Sequence, residues 1–484
     1  MKEQTNRKKH KKIRRYRKVG YSFLSVYAVA AVILITFCVR LGMVPGGYLA
    51  ALGGVLAVLG GLFVLMQRRK VWSIISDVLC VLLTVCCIAG CFYIGKADTT
   101  VRDVARVTSE TDEVGVYVLT DDPAQDIEDA ADYRFGMAEA VDRENTDATV
   151  ADIEEELGRE LDIGGYGDMF KLLDALKEQE VRAIILNSAY VPVAADAGNY
   201  AWVTDGLRQI ASYTHETGEE TAAEPSEDNN SFIVYLSGID TYGEVSARSR
   251  SDVNILAVVN TETKNVLLLS TPRDYYVDYS ETGGAKDKLT HAGLYGVDAS
   301  IDALERLYGV DVNYYLRVNF TGFTQIIDAL GGVDVYSQYD FTAGGRQFSQ
   351  GYNTVNGTEA LSFARERYSF EDGDIQRGRN QMEVIRAVIK KAASSSLLAN
   401  YAAVMDAVSG SFETNMPQEK IAELVRMQLS DMASWNITTY TAAGQVSTGE
   451  TYSAPGEMLS IVIPDEASVQ EAKNMINSVL NGGE

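Results

Sequence analysis

Residues 251–274 read SDVNILAVVNTETKNVLLLSTPRD, two apolar runs around a short polar turn. Its two apolar runs, 251–259 and 264–270, have strand length and are apolar on successive positions rather than on alternate ones. Strands of that kind are covered on both faces, so the pair belongs in the middle of a sheet with helices on each side. Asn260-Thr261-Glu262-Thr263 supplies the turn between them. Working outward, 232–236 reads as a strand upstream, and helical spacing appears at 298–307, 322–330, 358–366 and 374–393, with strands near 311–318 and 333–336. Beyond these, a helix at 418–429, strand-like segments at 437–441 and 459–463 and a final helix at 467–480 complete the same domain. The expectation for 231–484 is an α/β sandwich, a central mixed sheet flanked by helices.

Upstream, 215–230 (HETGEETAAEPSEDNN) has no apolar residue larger than alanine, and a linker is set at 216–230. Residues 97–215 form a small α/β accessory domain, with strands at 114–120 and 181–186 and helices at 150–157 and 168–176. No site chemistry is legible in it, and its acidic stretch 121–132 reads as a solvated face.

The first hundred residues differ in kind. Apolar runs at 21–39, 47–66 and 71–94 are each close to the roughly 20 residues needed to cross a hydrocarbon core as a helix. A signal peptide has one short apolar run and a cleavage site, so three long runs in succession read as a permanent anchor. Eight Lys and Arg between Lys8 and Lys18 precede the first run, and Arg68-Arg69-Lys70 separates the second from the third. The positive-inside rule then makes 1–20 a cytoplasmic tail and puts everything after Lys96 outside. All five cysteines lie in the apolar runs, so the outer region has no disulfide and no thiolate metal site; this points to a Gram-positive source.

Charge follows the same division. Residues 97–484 carry 28 Lys+Arg against 65 Asp+Glu. So acidic a surface excludes nucleic acid as a partner, since binding it needs a basic footprint. Against that background, clustered arginines carry information. They occur in four segments: Arg248-Ser249-Arg250-Ser251-Asp252, shortly after Gly238-Ile239-Asp240; Thr271-Pro272-Arg273-Asp274; Arg365-Glu366-Arg367; and Asp374 to Gln381. Several lie at strand ends, where an α/β sheet presents ligand groups. Guanidinium offers a permanently charged planar fork for phosphate oxygens, and carboxylates beside a pyrophosphate are useful when a hard divalent ion lies between them. Asp240 and Asp252 are the candidates for that ion. On a helix, Asp374, Arg377 and Gln381 share one face while Arg379 points to nearly the opposite side.

In order along the chain, GID (238–240), SRSDVNILAVVN (249–260), LLLSTPRD (267–274), DKLTHAGLYG (287–296), NFTGF (319–323), DALGGVDVY (328–336), LSFARERYS (361–369) and GDIQRGRNQ (373–381) resemble the LytR-CpsA-Psr family. The three-helix anchor and the accessory domain resemble the layout of its capsule-attachment branch. The resemblance implies a phosphotransferase that moves a glycopolymer from a polyprenyl pyrophosphate carrier to peptidoglycan through a phosphodiester, with magnesium at the pyrophosphate and an apolar channel for the lipid tail. Lipid-linked glycan, peptidoglycan, the membrane and other capsule-assembly proteins are the implied partners. Position by position, it assigns Asp240 and Asp252 to the metal, Arg250, Arg273 and Lys288 to pyrophosphate binding, and Arg365, Arg367, Asp374, Arg377 and Gln381 to the catalytic group. Asp374 is either the base that takes the acceptor proton or the residue that orients Arg377. Arg248 is not matched to a family position, and Arg379 is displaced from the family pattern by Asn380. His291, the only histidine after the linker, is read as structural. Two other functions use the same residues: a non-catalytic binding or regulatory protein for lipid-linked glycans, and a hydrolase of the same carrier with water as acceptor.

Overall fold

The computed structural model describes residues 2–104, 110–217, 230–239, 245–371, 373–394, 404, 407–408 and 410–483, without the side chains of 2–17, 97–104 and 374. Contacts divide the chain into two compact units. One comprises Met1–Ala105, Lys391–Ser409 and Met416–Ser434; the other comprises Arg106–Lys390, Gly410–Asn415 and Trp435–Glu484.

In the first unit the three apolar runs are helices, Lys2–Leu41, Gly46–Met66 and Lys70–Val104. The spans Lys18–Leu41, Gly46–Met66 and Lys70–Lys96 are long and apolar enough to cross a membrane. Small and aromatic residues meet between them: Tyr27, Ala31, Leu56, Phe63, Cys80 and Cys87 form a buried seam. The Tyr27 hydroxyl donates to the Leu56 carbonyl at 2.8 Å, which satisfies a polar group that a hydrocarbon environment would leave costly. Val32, Val58, Val71 and Ile88 face outward and remain exposed, as lipid-facing positions do. Asp77, the acidic residue inside the third span, accepts a 2.8 Å hydrogen bond from the Gln67 amide, whose oxygen accepts from Ser73 Oγ. The helix expected at 418–429 forms as Gln418–Asp431, but it groups with this unit: Ala422 packs on Met43, and Arg426 donates to the Gly42 carbonyl.

Among its described residues the second unit holds two large sheets and four two-stranded ones. A five-stranded sheet has the order Asp162–Tyr166, Arg134–Ala138, Ala183–Asn187, Glu110–Leu119, Leu207–Thr217. Helices Arg143–Leu157 and Met169–Lys177 accompany it. The strands at 134–138 and 162–166 escape a reading of hydrophobic pattern because Arg134-Phe-Gly-Met-Ala and Asp162-Ile-Gly-Gly-Tyr are short and glycine-bearing. The last strand runs to Thr217, into the first residues of the stretch read as linker; 218–229 lies outside the described residues.

A six-stranded mixed sheet forms the centre of the main domain. Its order is Phe412–Thr414, Tyr314–Val318, Ser231–Ile239, Ser251–Asn260, Asn265–Ser270, Asn436–Thr441. The pairs 231–239 with 314–318 and 265–270 with 436–441 are parallel, and the others are antiparallel. The strands 251–260 and 265–270 are indeed central, with Leu256, Val258, Leu267 and Leu269 fully buried. They are joined by an Asx turn in which Asn260 Oδ1 accepts from the backbone of Glu262 and Thr263. One face packs on the helices Val297–Tyr308 and Glu466–Leu480 through Leu304, Tyr308, Ala472 and Ile476. The helix Asp374–Ala392 approaches the 265–270/436–441 end of the sheet, where Arg386 donates to the Ile437 carbonyl. The segments 333–337 and 454–464 form strands outside this sheet, in separate pairs with 351–355 and 444–451.

Candidate phosphate-binding site

Antiparallel pairing of 251–260 with 265–270 brings the start of one strand to the end of the other, so Arg250-Ser251-Asp252 and Thr271-Pro272-Arg273 share an edge. Arg273 Nη1 donates to Asp252 Oδ2 at 2.9 Å, and Thr290 Oγ1 donates to Oδ1 at 3.2 Å. The turn carrying Thr290 lies this close because Gly293 touches the 249–251 backbone. A Cβ there would sit 2.4 Å from the Ser249 carbonyl oxygen.

Burial pushes the Asp252 carboxyl toward its neutral form, but the charges of Arg273, Arg250 and Arg377 together outweigh this and hold it below the usual carboxylate range. Three of the four arginine segments therefore converge on one ionised carboxylate. Arg377 reaches it from the Asp374–Ala392 helix, whose Gly378 lies against Ser270; an added Cβ would be 3.1 Å from the Ser270 hydroxyl. Lys288 is almost wholly buried beside them, its Nζ 3.2 Å from Asp274 Oδ1. Desolvated cations at strand ends make a site that favours anions.

The remaining candidates are placed differently. Arg365 ends the helix Gly357–Arg365 with its guanidinium 4.2 Å above the Phe320 ring. Arg367 lies over the Tyr368 ring and donates to its hydroxyl at 2.7 Å. Gln381 is half-buried, one turn beyond Arg377. Asp240 lies outside the described residues, as does the side chain of Asp374. Arg379 turns to the other side of its helix, donating to Gln376 and lining a cavity of about 330 Å³ with Tyr336, Gln338, Asn380, Thr439 and Tyr440. That cavity is lined largely by polar groups, unlike the apolar channel expected for a lipid tail.

One neighbour of the site was invisible in the sequence. Asp196, from the accessory domain, accepts a 2.8 Å hydrogen bond from Arg250 Nη1 and lies 3.8 Å from Lys288 Nζ. Arg248 belongs to a different group: it donates to Glu110 at 2.8 Å and approaches Asp112, tying the accessory strand 110–119 to the main domain. His291 is fully buried, its Nδ1 2.7 Å from Asp287, which also accepts from Ser453 and Tyr279; this is a structural network beneath the site.

Among the described residues no cluster of three or more His, Cys, Asp or Glu is arranged to hold a metal. Asp252, the described member of the assigned pair, is an ionised oxygen donor of the kind a hard divalent cation takes, and its two oxygens accept from Arg273 and Thr290.

A profile of the LytR_cpsA_psr family matches residues 202–475. A polyisoprenyl-teichoic acid–peptidoglycan teichoic acid transferase TagU of Bacillus mycoides is 36% identical over 210 residues, covering 43% of this chain and 66% of that protein. The corresponding Bacillus cereus protein is 38% identical, and the chain covers 62% of its length. The Enterococcus faecalis TagU is 29% identical over 307 residues, covering 62% of this chain and 99% of that one. Among solved structures, Bacillus subtilis TagV is 26% identical, with 52% of this chain and 98% of that chain aligned at a TM-score of 0.45. With the family profile spanning more than half of its 484 residues, the chain belongs to the LytR_cpsA_psr family.

Proposed function

We propose that this chain is a membrane-anchored phosphotransferase that moves a glycopolymer from a polyprenyl pyrophosphate carrier to a peptidoglycan hydroxyl. The observation that carries the reading is the 2.9 Å contact of Arg273 with Asp252 at the strand ends, where the charges of Arg250 and Arg377 act on the same carboxylate. Phosphoryl transfer is catalysed mainly by positioning and charge stabilisation, which is what buried guanidinium groups supply. The acceptor oxygen forms a new bond to the sugar-linked phosphorus, the bridging P–O bond breaks, and polyprenyl phosphate leaves. Arg250, Arg273 and Lys288 bind the pyrophosphate, and Arg365, Arg367 and Arg377 stabilise charge on the departing phosphate. Asp374, one turn before Arg377 on the same helix, takes the acceptor proton, and Gln381 lines the same face. Magnesium, when bound, adds a hard positive charge against pyrophosphate oxygens, and Asp240 and Asp252 are the residues assigned to hold it. The polyprenyl tail is assigned to an apolar channel in the main domain. The three helices anchor the chain in the cell membrane with the N-terminus cytoplasmic, which puts the site on the side of the cell wall. The matched relatives are named for teichoic acid, and the anchor and accessory domain resemble the capsule-attachment layout, so we propose an anionic wall polymer or a capsular polysaccharide as the cargo.

The test is incubation of the purified full chain with a lipid-linked saccharide pyrophosphate and peptidoglycan fragments, with both products weighed by mass spectrometry. A peptidoglycan fragment heavier by the saccharide phosphate supports transfer. Free saccharide phosphate alone points to a hydrolase, and two unchanged substrates point to a binding protein. Teichoic and capsular donors run side by side identify the cargo.

A further inference from the structure

We infer that the accessory domain sets the affinity of the phosphate site through Asp196, an internal carboxylate seated on two of the cations assigned to the pyrophosphate. The inference rests on the reading of Arg250 and Lys288 as phosphate ligands.

Asp196 ends the short helix Val191–Asp196, whose Val193 and Ala194 are buried in the accessory core. Its Oδ2 lies 2.8 Å from Arg250 Nη1 and 3.8 Å from Lys288 Nζ, while the Pro192 carbonyl faces the same Arg250 nitrogen at 3.5 Å. Arg250 and Lys288 are both nearly buried, with side chains 9% and 4% exposed, so the anion beside them is screened less than one in open water would be.

The helix is held in place. Leu294, Ala454 and Leu459 of the main domain pack into the same apolar core as Val193, Ala194 and Ala197. A buried ion pair of Glu110 with Arg317 and a partly exposed one with Arg248 fasten the neighbouring strand. Asp196 is thus a resident of the site rather than a loop that happens to touch it. A phosphate arriving at Arg250 and Lys288 meets cations whose charge is already partly neutralised, and it must displace or share with the carboxylate. The consequence is discrimination: inorganic pyrophosphate gains too little from the cations to compete, while a substrate with additional contacts to its lipid and sugar tolerates the cost. The sequence gives no hint of this, because Asp196 stands in an apolar, alanine-rich stretch far from any arginine motif.

The measurement is calorimetric titration of the detergent-solubilised full chain with inorganic pyrophosphate. Asp196→Asn removes the charge and keeps the shape, and it should tighten pyrophosphate binding on the order of 10-fold, a Coulomb effect discounted for partial exposure. Asp196→Ala should act in the same direction, and Asp196→Glu should stay near the wild-type constant. Asp205→Asn, an exposed acid elsewhere in the accessory domain, controls for net charge and should change nothing. If Arg250→Ala abolishes binding while Asp196→Asn leaves the constant unchanged or weaker, the inference falls and the phosphate site stands. Pyrophosphate binding that survives Arg250→Ala unaltered overturns both.

Discussion

Arg317 and Glu110, 207 residues apart in the chain, form a 2.7 Å ion pair in which both side chains are almost wholly buried. Glu110 opens the accessory sheet and Arg317 lies in the strand Tyr314–Val318 of the six-stranded sheet, so the pair joins the two large sheets of the second unit. Glu413 lies 3.7 Å from the same guanidinium, and Arg248 donates to the other Glu110 oxygen.

Removing one partner of a buried pair leaves the other charge uncompensated, at a cost of about 3–5 kcal/mol. Arg317→Met should therefore lower stability by roughly that amount in denaturant titration. Glu110 keeps its bond from Arg248, so Arg317→Met combined with Glu110→Gln should cost less than the sum of the two single losses; strictly additive losses refute the coupling.

Asp252 yields a prediction with a definite sign. Its carboxyl is held below the ordinary value of 3.8, so the unfolded chain binds the proton more tightly than the folded one. The resulting stabilisation is present above pH 3.8 and is lost as the pH falls below it through the folded value. Asp252→Asn should flatten the fall in stability in that acid range. It should also weaken the response of activity to magnesium, as should Asp240→Ala, when each variant is titrated with the ion. An unaltered magnesium response in both removes the metal assignment.

Arg365 and Arg367 rest on aromatic rings through planar faces that lysine lacks. If they stabilise charge in the transition state, replacement by Lys should cost on the order of 10²-fold in turnover with a nearly unchanged thermal midpoint. Arg379→Lys is the control, since its side chain lines the cavity on the far side of the helix from Arg377. Equal, minor losses in all three would mark Arg365 and Arg367 as surface residues.

Topology has its own test. A tag inserted after Lys96 should be labelled by an impermeant reagent on intact cells, and one placed before Gly20 should not. Protection of the C-terminal region from external protease would reverse the assigned orientation.

How much of this was written locally can be judged residue by residue. The central position of 251–260 and 265–270 was legible because burial on both faces demands unbroken apolar runs, and the three spans were legible because a bilayer demands length. The opposed directions of Arg377 and Arg379 followed from helical geometry alone. The convergence of Arg250, Arg273 and Arg377 on Asp252 needed strand pairing and helix placement, which no local pattern encodes. Still further from sight were Asp196 on Arg250 and Glu110 on Arg317. Asp196 stands in an alanine-rich stretch and Glu110 in an acidic one, neither near an arginine motif, and only the packing of the accessory domain against the main domain gives each a charged partner. Periodicity reports which face of an element is buried; it does not report what lies opposite, and ion pairs between distant segments are decided there.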